Sequence, residues 1–149
     1  MMASAATGKA VDSLNIEFID KLYVKEPERA YQLLGAAYHR LVQTRWRGCS
    51  RERYEYVAGH VCLYNFHYNE AFQHAMALQR MGGRGKLDVW VRGMSLQCAV
   101  EHALGDYGRL SDTFWKLRRA VPKPATMRSL PRAGSTACWS VTITRFSAN

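Results

Sequence analysis

The 149-residue sequence has no long hydrophobic run, because even its most apolar stretches are interrupted by Arg, His or Gly. A membrane-spanning helix needs roughly 20 predominantly apolar residues, so no membrane span is predicted. The first ten residues carry Lys9 as their one charge and lack both the apolar core of a secretion signal and the arginines of a typical transit peptide. We therefore expect an intracellular protein, cytoplasmic or organellar, that is not secreted.

Cysteines are few and widely spaced, at Cys49, Cys62, Cys98 and Cys138. Without a C-x-x-C pair the sequence predicts no zinc site, and reduced, structural thiols are the simpler interpretation. Residues 82–86 read Gly-Gly-Arg-Gly-Lys, but no Ser or Thr follows the lysine and no strand precedes the loop, as a phosphate-binding P-loop would require. No nucleophile motif is present either, so we predict no catalytic residue, cofactor or small-molecule substrate and do not expect an enzyme.

Histidines recur every seven residues at His60, His67 and His74. On one helix two such positions lie about 10 Å apart, too far to share a metal ion. Glu70 and His74 are four residues apart and could share a site or simply an ion-pair contact. Aromatic packing with partly exposed histidines is the favoured interpretation, and no metal ligand is predicted.

Acidic residues are scarce, since 12 Asp and Glu stand against 21 Lys and Arg, for a formal charge of +9. Such an excess indicates an anionic partner. RNA, an anionic membrane surface and an acidic protein suit this composition about equally well.

Helical periodicity is what the sequence does contain, from about residue 12 to about residue 120. It predicts six helices: one capped by Asp12 or Ser13, one beginning at Pro27, one beginning after Ser50, one near residues 71–78, and the last two at 87–104 and 107–120. From residue 122 the period is lost, basic residues occur without acidic ones, and only residues 139–144 have strand character. We predict a helical domain over residues 1–121 and a basic, partly extended tail over residues 122–149.

Small and large residues alternate within the predicted helices in a way that lets two helices pack closely. The motif residues are Tyr31, Leu34, Gly35 and Tyr38, then Gly59, Tyr68, Glu70 and Ala71, then Leu104, Gly105, Asp106, Tyr107, Phe114 and Pro122. Over residues 28–122 this pattern resembles the tetratricopeptide repeat family, although the spacing between units is irregular. The resemblance implies an all-α fold of stacked antiparallel helical hairpins, an α-solenoid, with Gly35 at a helix crossing.

Two functions follow as hypotheses. A helical scaffold could bind a protein partner in a groove, as a subunit of a larger assembly, through Tyr38, Tyr64 and Tyr68. Alternatively, the chain could be an RNA-binding subunit of a ribonucleoprotein complex, with basic turns and tail on phosphates. The candidate nucleic-acid or anion-binding residues are Arg45, Trp46, Arg47, Arg51, Arg53, Arg84, Lys86, Arg118 and Arg119. A solvated rim of cations at helix C-termini is the structural alternative for them.

Overall fold

The computed structural model describes residues 15–122, and within them the fold is all-α. The helices are α1 (Ile16–Leu22), α2 (Pro27–Gln43), α3 (Arg51–Tyr64), α4 (Tyr68–Gly82), α5 (Leu87–Leu104) and α6 (Tyr107–Ala120). The bounds of α5 and α6 confirm the sequence prediction. The predicted tail with its strand at 139–144, from residue 123 onward, lies outside the described residues.

Helix starts follow the expected capping chemistry, with one correction. The Ser50 side chain accepts a hydrogen bond from the Arg53 N–H and caps α3, and Pro27 occupies the first turn of α2. The prediction that Asp12 or Ser13 caps the first helix is wrong. Asn15 is the cap, with its side-chain oxygen 3.1 Å from the Glu17 nitrogen.

Successive helices pack against each other in chain order, and short loops reverse the chain between them. Helices α1 and α3, and α3 and α5, are also in contact, so the odd-numbered helices lie side by side. The α4–α5 pair forms the most extensive interface. Because each short loop reverses the chain, α1, α3 and α5 all begin at the same end of the molecule and all finish at the opposite end.

The core is built from small residues beside large aliphatic ones. Ala30, Ala37 and Ala71 are fully buried, and Leu78 and Leu96 are among the largest buried side chains. A fully buried Leu stabilises the fold by about 1.5–3 kcal/mol. Alanine at the contacts lets helix backbones approach, so the small residues set the spacing and the leucines fill the remaining volume.

Gly35 does not lie at a helix crossing, contrary to the expectation from the repeat resemblance. It is exposed, and a Cβ placed there would meet no atom within 4 Å. The buried face of α2 instead contains Ala30, Leu34 and Ala37. Close approaches occur instead between α4 and α5, where a Cβ at Gly82 would overlap the Trp90 backbone and a Cβ at Gly93 would lie 2.8 Å from the backbone nitrogen of Gln79. Only a residue without a side chain fits this α4–α5 contact.

Candidate functional site

The molecule has two chemically different ends. At one end α1, α3 and α5 begin, and ion pairs join them: Arg53 lies 3.2 Å from Glu17, and Lys86 lies 2.7 Å from Glu52. We call this the basic end. At the other end the same helices finish, and the rings of Tyr23 and Tyr64 meet at 5.0 Å. We call this the aromatic end.

The basic end gathers every anion-binding residue predicted from the sequence. They come from the α2–α3 loop (44–50) with the first turn of α3, from the α4–α5 loop (83–86) and from the last turn of α6. Ala120 lines a small depression together with Gly82, Gly83 and Gly85, so the end of α6 lies beside the α4–α5 loop. Arg80 and Lys116, near the ends of α4 and α6, belong to the same end. Arg80 was missed by sequence reasoning.

Two of the predicted residues hold the scaffold together. Arg53 binds Glu17 and also Asp20, at 2.6 Å. Burial lowers the pKa of Arg53, but its hydrogen bonds and ion pairs with these carboxylates outweigh burial and raise it. The hydrogen bond from Lys86 lowers the pKa of the Glu52 carboxyl group and raises that of Lys86 itself. These two cations are therefore already neutralised.

Other cations of the basic end face solvent. Arg45, Arg47, Arg84 and Arg118 are exposed, and none of them makes an ion pair within residues 15–122. Arg119 is exposed too, with its Nε donating a hydrogen bond to the Trp115 carbonyl oxygen at 3.3 Å. Exposed guanidinium groups of this kind can donate paired hydrogen bonds to phosphate oxygens.

The loop after α2 brings an aromatic group to the basic end. Arg45 adopts the left-handed conformation (φ 51°), and the Trp46 N–H donates to the Leu41 carbonyl at 2.8 Å, which closes a Schellman cap. Trp46 contacts the rings of Tyr38 and Tyr54 at 6.0 and 5.7 Å. The Arg51 guanidinium lies 5.9 Å from the Trp46 ring centroid. Arginine and aromatic groups are thus interleaved on this loop.

A larger depression of about 670 Å³ lies at the same end, between the first turns of α1, α3 and α5. Its charged lining is Glu17, Glu52, Arg53, Lys86, Asp88 and Arg92. Three acidic and three basic side chains line it, so the depression has no net charge that would attract an anion. Of the exposed cations, Arg45, Arg47 and Arg84 lie on the two loops that contribute Gly48 and Lys86 to its lining.

The aromatic end also carries a bulky residue in the left-handed conformation. Phe66 has φ 62° and is 77% exposed, and the N–H of the next residue, His67, donates to the Cys62 carbonyl at 2.9 Å. Left-handed backbone costs a bulky residue about 1–2 kcal/mol, and glycine is the usual occupant of this cap position. Further exposed apolar residues at this end are Val24, Tyr64, Leu104 and Tyr107.

The tyrosines predicted to bind a partner do not share one surface. Tyr38 is exposed at the basic end, beside Trp46. Tyr64 is exposed at the aromatic end, and Tyr68 lies there too, half-buried, with its ring 6.3 Å from that of Phe66. The expected groove is therefore replaced by two separate groups of aromatic side chains.

The His74 and Cys62 side chains make contacts within the fold. His74 Nδ1 lies 2.5 Å from Glu55 Oε2, whereas Glu70 accepts hydrogen bonds from Tyr31 and Cys62, so the predicted Glu70–His74 contact is replaced by two others. Burial raises the pKa of the Cys62 thiol to about 12. Among residues 15–122 no three His, Cys, Asp or Glu side chains are grouped to hold a metal ion, and no helix there is long and apolar enough to cross a membrane.

A polar network lies inside the α4–α5–α6 interface. Gln79 donates to Gln97 at 2.7 Å, and Gln97 and Thr113 donate to Glu101 Oε1 at 2.8 and 3.0 Å. Glu101 is 4% exposed, and its Oε2 has no hydrogen-bond partner among the described residues. The Gln79–Gln97 and Thr113–Glu101 bonds join residues 18 and 12 positions apart and so leave no local signal.

Comparisons with models of known protein families, with curated proteins and with solved structures found no match. The function must therefore be argued from the placement of charge and aromatic groups. The described chain offers two candidate binding surfaces, one at each end.

Proposed function

We propose that this chain is a non-catalytic RNA-binding module, built from stacked tetratricopeptide-like hairpins, that serves as a subunit of a ribonucleoprotein complex. Its basic end would hold the phosphate backbone. The observation that carries the proposal is the exposure of Arg45, Arg47, Arg84 and Arg118 at one end without ion pairs inside residues 15–122. Proteins that bind single strands combine such a cationic surface with aromatic side chains, and Trp46 supplies one here.

The separation of the two ends supports a localised site. Helices α2 and α5 are each about 25 Å long at 1.5 Å per residue. At physiological ionic strength the Debye length is about 8 Å. Cations at the basic end therefore act together on a nearby polyanion, while the aromatic end contributes little to its attraction.

The test is the salt dependence of RNA binding, measured by fluorescence anisotropy with a labelled 12-nucleotide oligouridylate. For single strands, log K falls with log salt by about 0.7 per neutralised phosphate. A triple variant with Arg45, Arg47 and Arg84 changed to Gln should reduce that slope by about 2 and weaken binding at low salt.

The matched control removes the same charge from the aromatic end, by changing Lys25, Arg29 and Arg109 to Gln. Arg29 and Arg109 pair with neighbouring acids, Glu26 and Asp106. This variant should retain the wild-type slope. If both triple variants lost salt slope and affinity equally, only the net charge of the protein would matter for RNA binding, and a localised site would be contradicted.

A second function, as a protein-binding adaptor, is favoured by Phe66. A bulky apolar residue that is both left-handed and 77% exposed has no evident folding benefit, and such strain often accompanies binding sites. Pull-down from native extract, with and without RNase, tests this function. A partner that survives RNase and is lost with Phe66→Ser, but not with Phe72→Ser on α4, would support it. Loss of every partner after RNase treatment would leave RNA binding as the better account.

A further inference from the structure

Trp115 lies on the outer face of α6, away from the hydrophobic core. Thr113 is the residue of α6 that is buried against its neighbours, and Leu117 is half-buried on the same side. Two residues span about 200° around a helix, so Trp115 points away from the face that contains Thr113. Its side chain is 54% exposed. Core packing therefore does not explain a tryptophan at this position.

Two cations lie about one turn beyond Trp115 on the same helix. Arg118 and Arg119 follow by three and four residues, positions that are neighbours on a helix. The bond from Arg119 Nε to the Trp115 carbonyl holds the guanidinium over the same turn. One side of the indole contacts the Phe114 ring, at 6.0 Å and 76°. A broad aromatic surface thus lies one turn before two groups that can bind phosphate.

We infer that Trp115 is a stacking platform for an unpaired nucleobase, with Arg118 and Arg119 binding the adjoining phosphates, so that the ligand class is single-stranded nucleic acid. The inference rests on the proposed function and narrows it. Base faces are free in a single strand and hidden in a duplex, whose A-form major groove is also too deep and narrow for side chains to read. A duplex could meet the arginines but could not reach the indole.

The position of α6 makes the platform continuous with the other cations of the basic end. Ala120, one turn beyond Trp115, lines the depression formed with Gly82, Gly83 and Gly85. Arg84 lies within that loop. A strand whose base stacks on Trp115 would therefore have its next phosphates near Arg118 and Arg84.

The experiment compares a labelled 12-nucleotide oligouridylate with an RNA duplex of equal length, by anisotropy at several salt concentrations. Trp115→Ala should weaken single-strand binding roughly 5- to 150-fold, the range measured when a stacking aromatic is removed. It should leave the salt slope and duplex binding unchanged. Trp115→Phe, which keeps a ring, should retain most of the affinity. Arg118→Gln should instead lower the slope, by about 0.7.

Each alternative outcome has a distinct meaning. Single-strand binding that is unaffected by Trp115→Ala, or a duplex bound as tightly as the single strand, would overturn the stacking role while leaving RNA binding in place. Absence of salt-dependent binding to either RNA would overturn the proposed function as well. Binding to phosphatidylserine vesicles, but to neither RNA, would assign the same surface to anionic lipid and overturn both. Circular dichroism of each variant checks that the helices are retained.

Discussion

The basic end and the aromatic end belong to the same helices but differ in what their loops expose. Loops 44–50 and 83–86 present arginines that make no ion pair within residues 15–122, beside Trp46. At the opposite end, Arg29 and Arg109 are paired with neighbouring acids, and the exposed surface includes Phe66. The helices fix the distance between these surfaces, and the loops determine their chemistry. A single short bundle can in this way present two chemically different surfaces.

Both ends contain a Schellman cap with an unusual residue in the left-handed position. Helix α5 ends in the same way with Gly105, at φ 71°, which glycine adopts without strain. Helices α2 and α3 end instead with Arg45 and Phe66. In each case the residue that strains the backbone is also an exposed residue of its proposed binding surface. Binding thus offers a reason for retaining these two residues at a cost in stability.

The largest expected effect concerns the scaffold that keeps the ends apart. Gly93→Leu would force the α4–α5 backbones apart, because a Cβ at Gly93 already meets Gln79 and Ala75 backbone atoms. We expect a loss of about 3 kcal/mol or more in the free energy of unfolding, measured by urea denaturation. Gly35→Leu, at an exposed position in α2, is the control and should change stability by less than about 1 kcal/mol. Equal losses would contradict the assignment of the close crossing to Gly93.

Replacing the strained cap residues sharpens the comparison of the ends. Arg45→Gly and Phe66→Gly should each stabilise the fold by about 1 kcal/mol, because glycine adopts positive φ without a Cβ clash. Their binding effects should differ: Arg45→Gly weakens RNA binding, whereas Phe66→Gly leaves it unchanged. Thermal unfolding and anisotropy on the same samples measure both quantities. Destabilisation by Phe66→Gly would show that its side chain contributes more packing than its exposure indicates.

Two arginines of the basic end should separate stability from binding. Arg53→Gln removes a half-buried cation from Glu17 and Asp20 and should cost about 1 kcal/mol of stability. Arg47→Gln should leave stability unchanged and weaken RNA binding. Denaturation midpoints and binding constants for the pair test this division. If Arg53→Gln weakened RNA binding without loss of stability, and Arg47→Gln destabilised the fold, the assigned roles would be wrong.

The smallest effect is a pH dependence from His60. Burial lowers the pKa of His60 below its ordinary value, with Asp20 opposing the shift, and its ring packs against Tyr23 and Tyr56. The unfolded chain therefore binds the proton more readily, so stability should fall as pH drops below about 6.5, until the folded-state pKa is passed. Unfolding free energies between pH 5 and 8 should show this slope. It should disappear in His60→Gln and persist in His39→Gln, which changes an exposed histidine.

Much of the fold could be predicted because its signals are local. The glycines at 82–85 and the Gly105–Asp106 pair bracket α5, so the bounds of α5 and α6 follow from the sequence alone. Gly35 was misplaced because it was assigned to the buried face of α2, where the structure instead buries Ala30 and Ala37. Spacing of three and four residues identifies a helix more reliably than it identifies the face that is buried.

The candidate site could be predicted in composition but not in arrangement. Arginine clusters are visible in the sequence, yet only the pairing of helix ends brings loop 83–86 beside the end of α6 and Lys86 against Glu52 in the first turn of α3. The neutralisation of Arg53 by Glu17 and Asp20 depends on residues more than thirty positions away. The left-handed cap at Phe66 carries no glycine to mark it. Long-range contacts of these kinds are not visible in the periodicity of the sequence.

The central claim is that polyanion binding is confined to the basic end. Titration of the ¹⁵N-labelled protein with oligouridylate, followed by amide and indole chemical shifts, tests it most directly. The account predicts shifts for Arg45, Arg47 and Arg84 and for the Trp115 indole N–H, with Phe66 and Tyr107 unchanged. Shifts centred on Phe66 and Tyr107 would contradict it, as would an absence of any shift at the basic end.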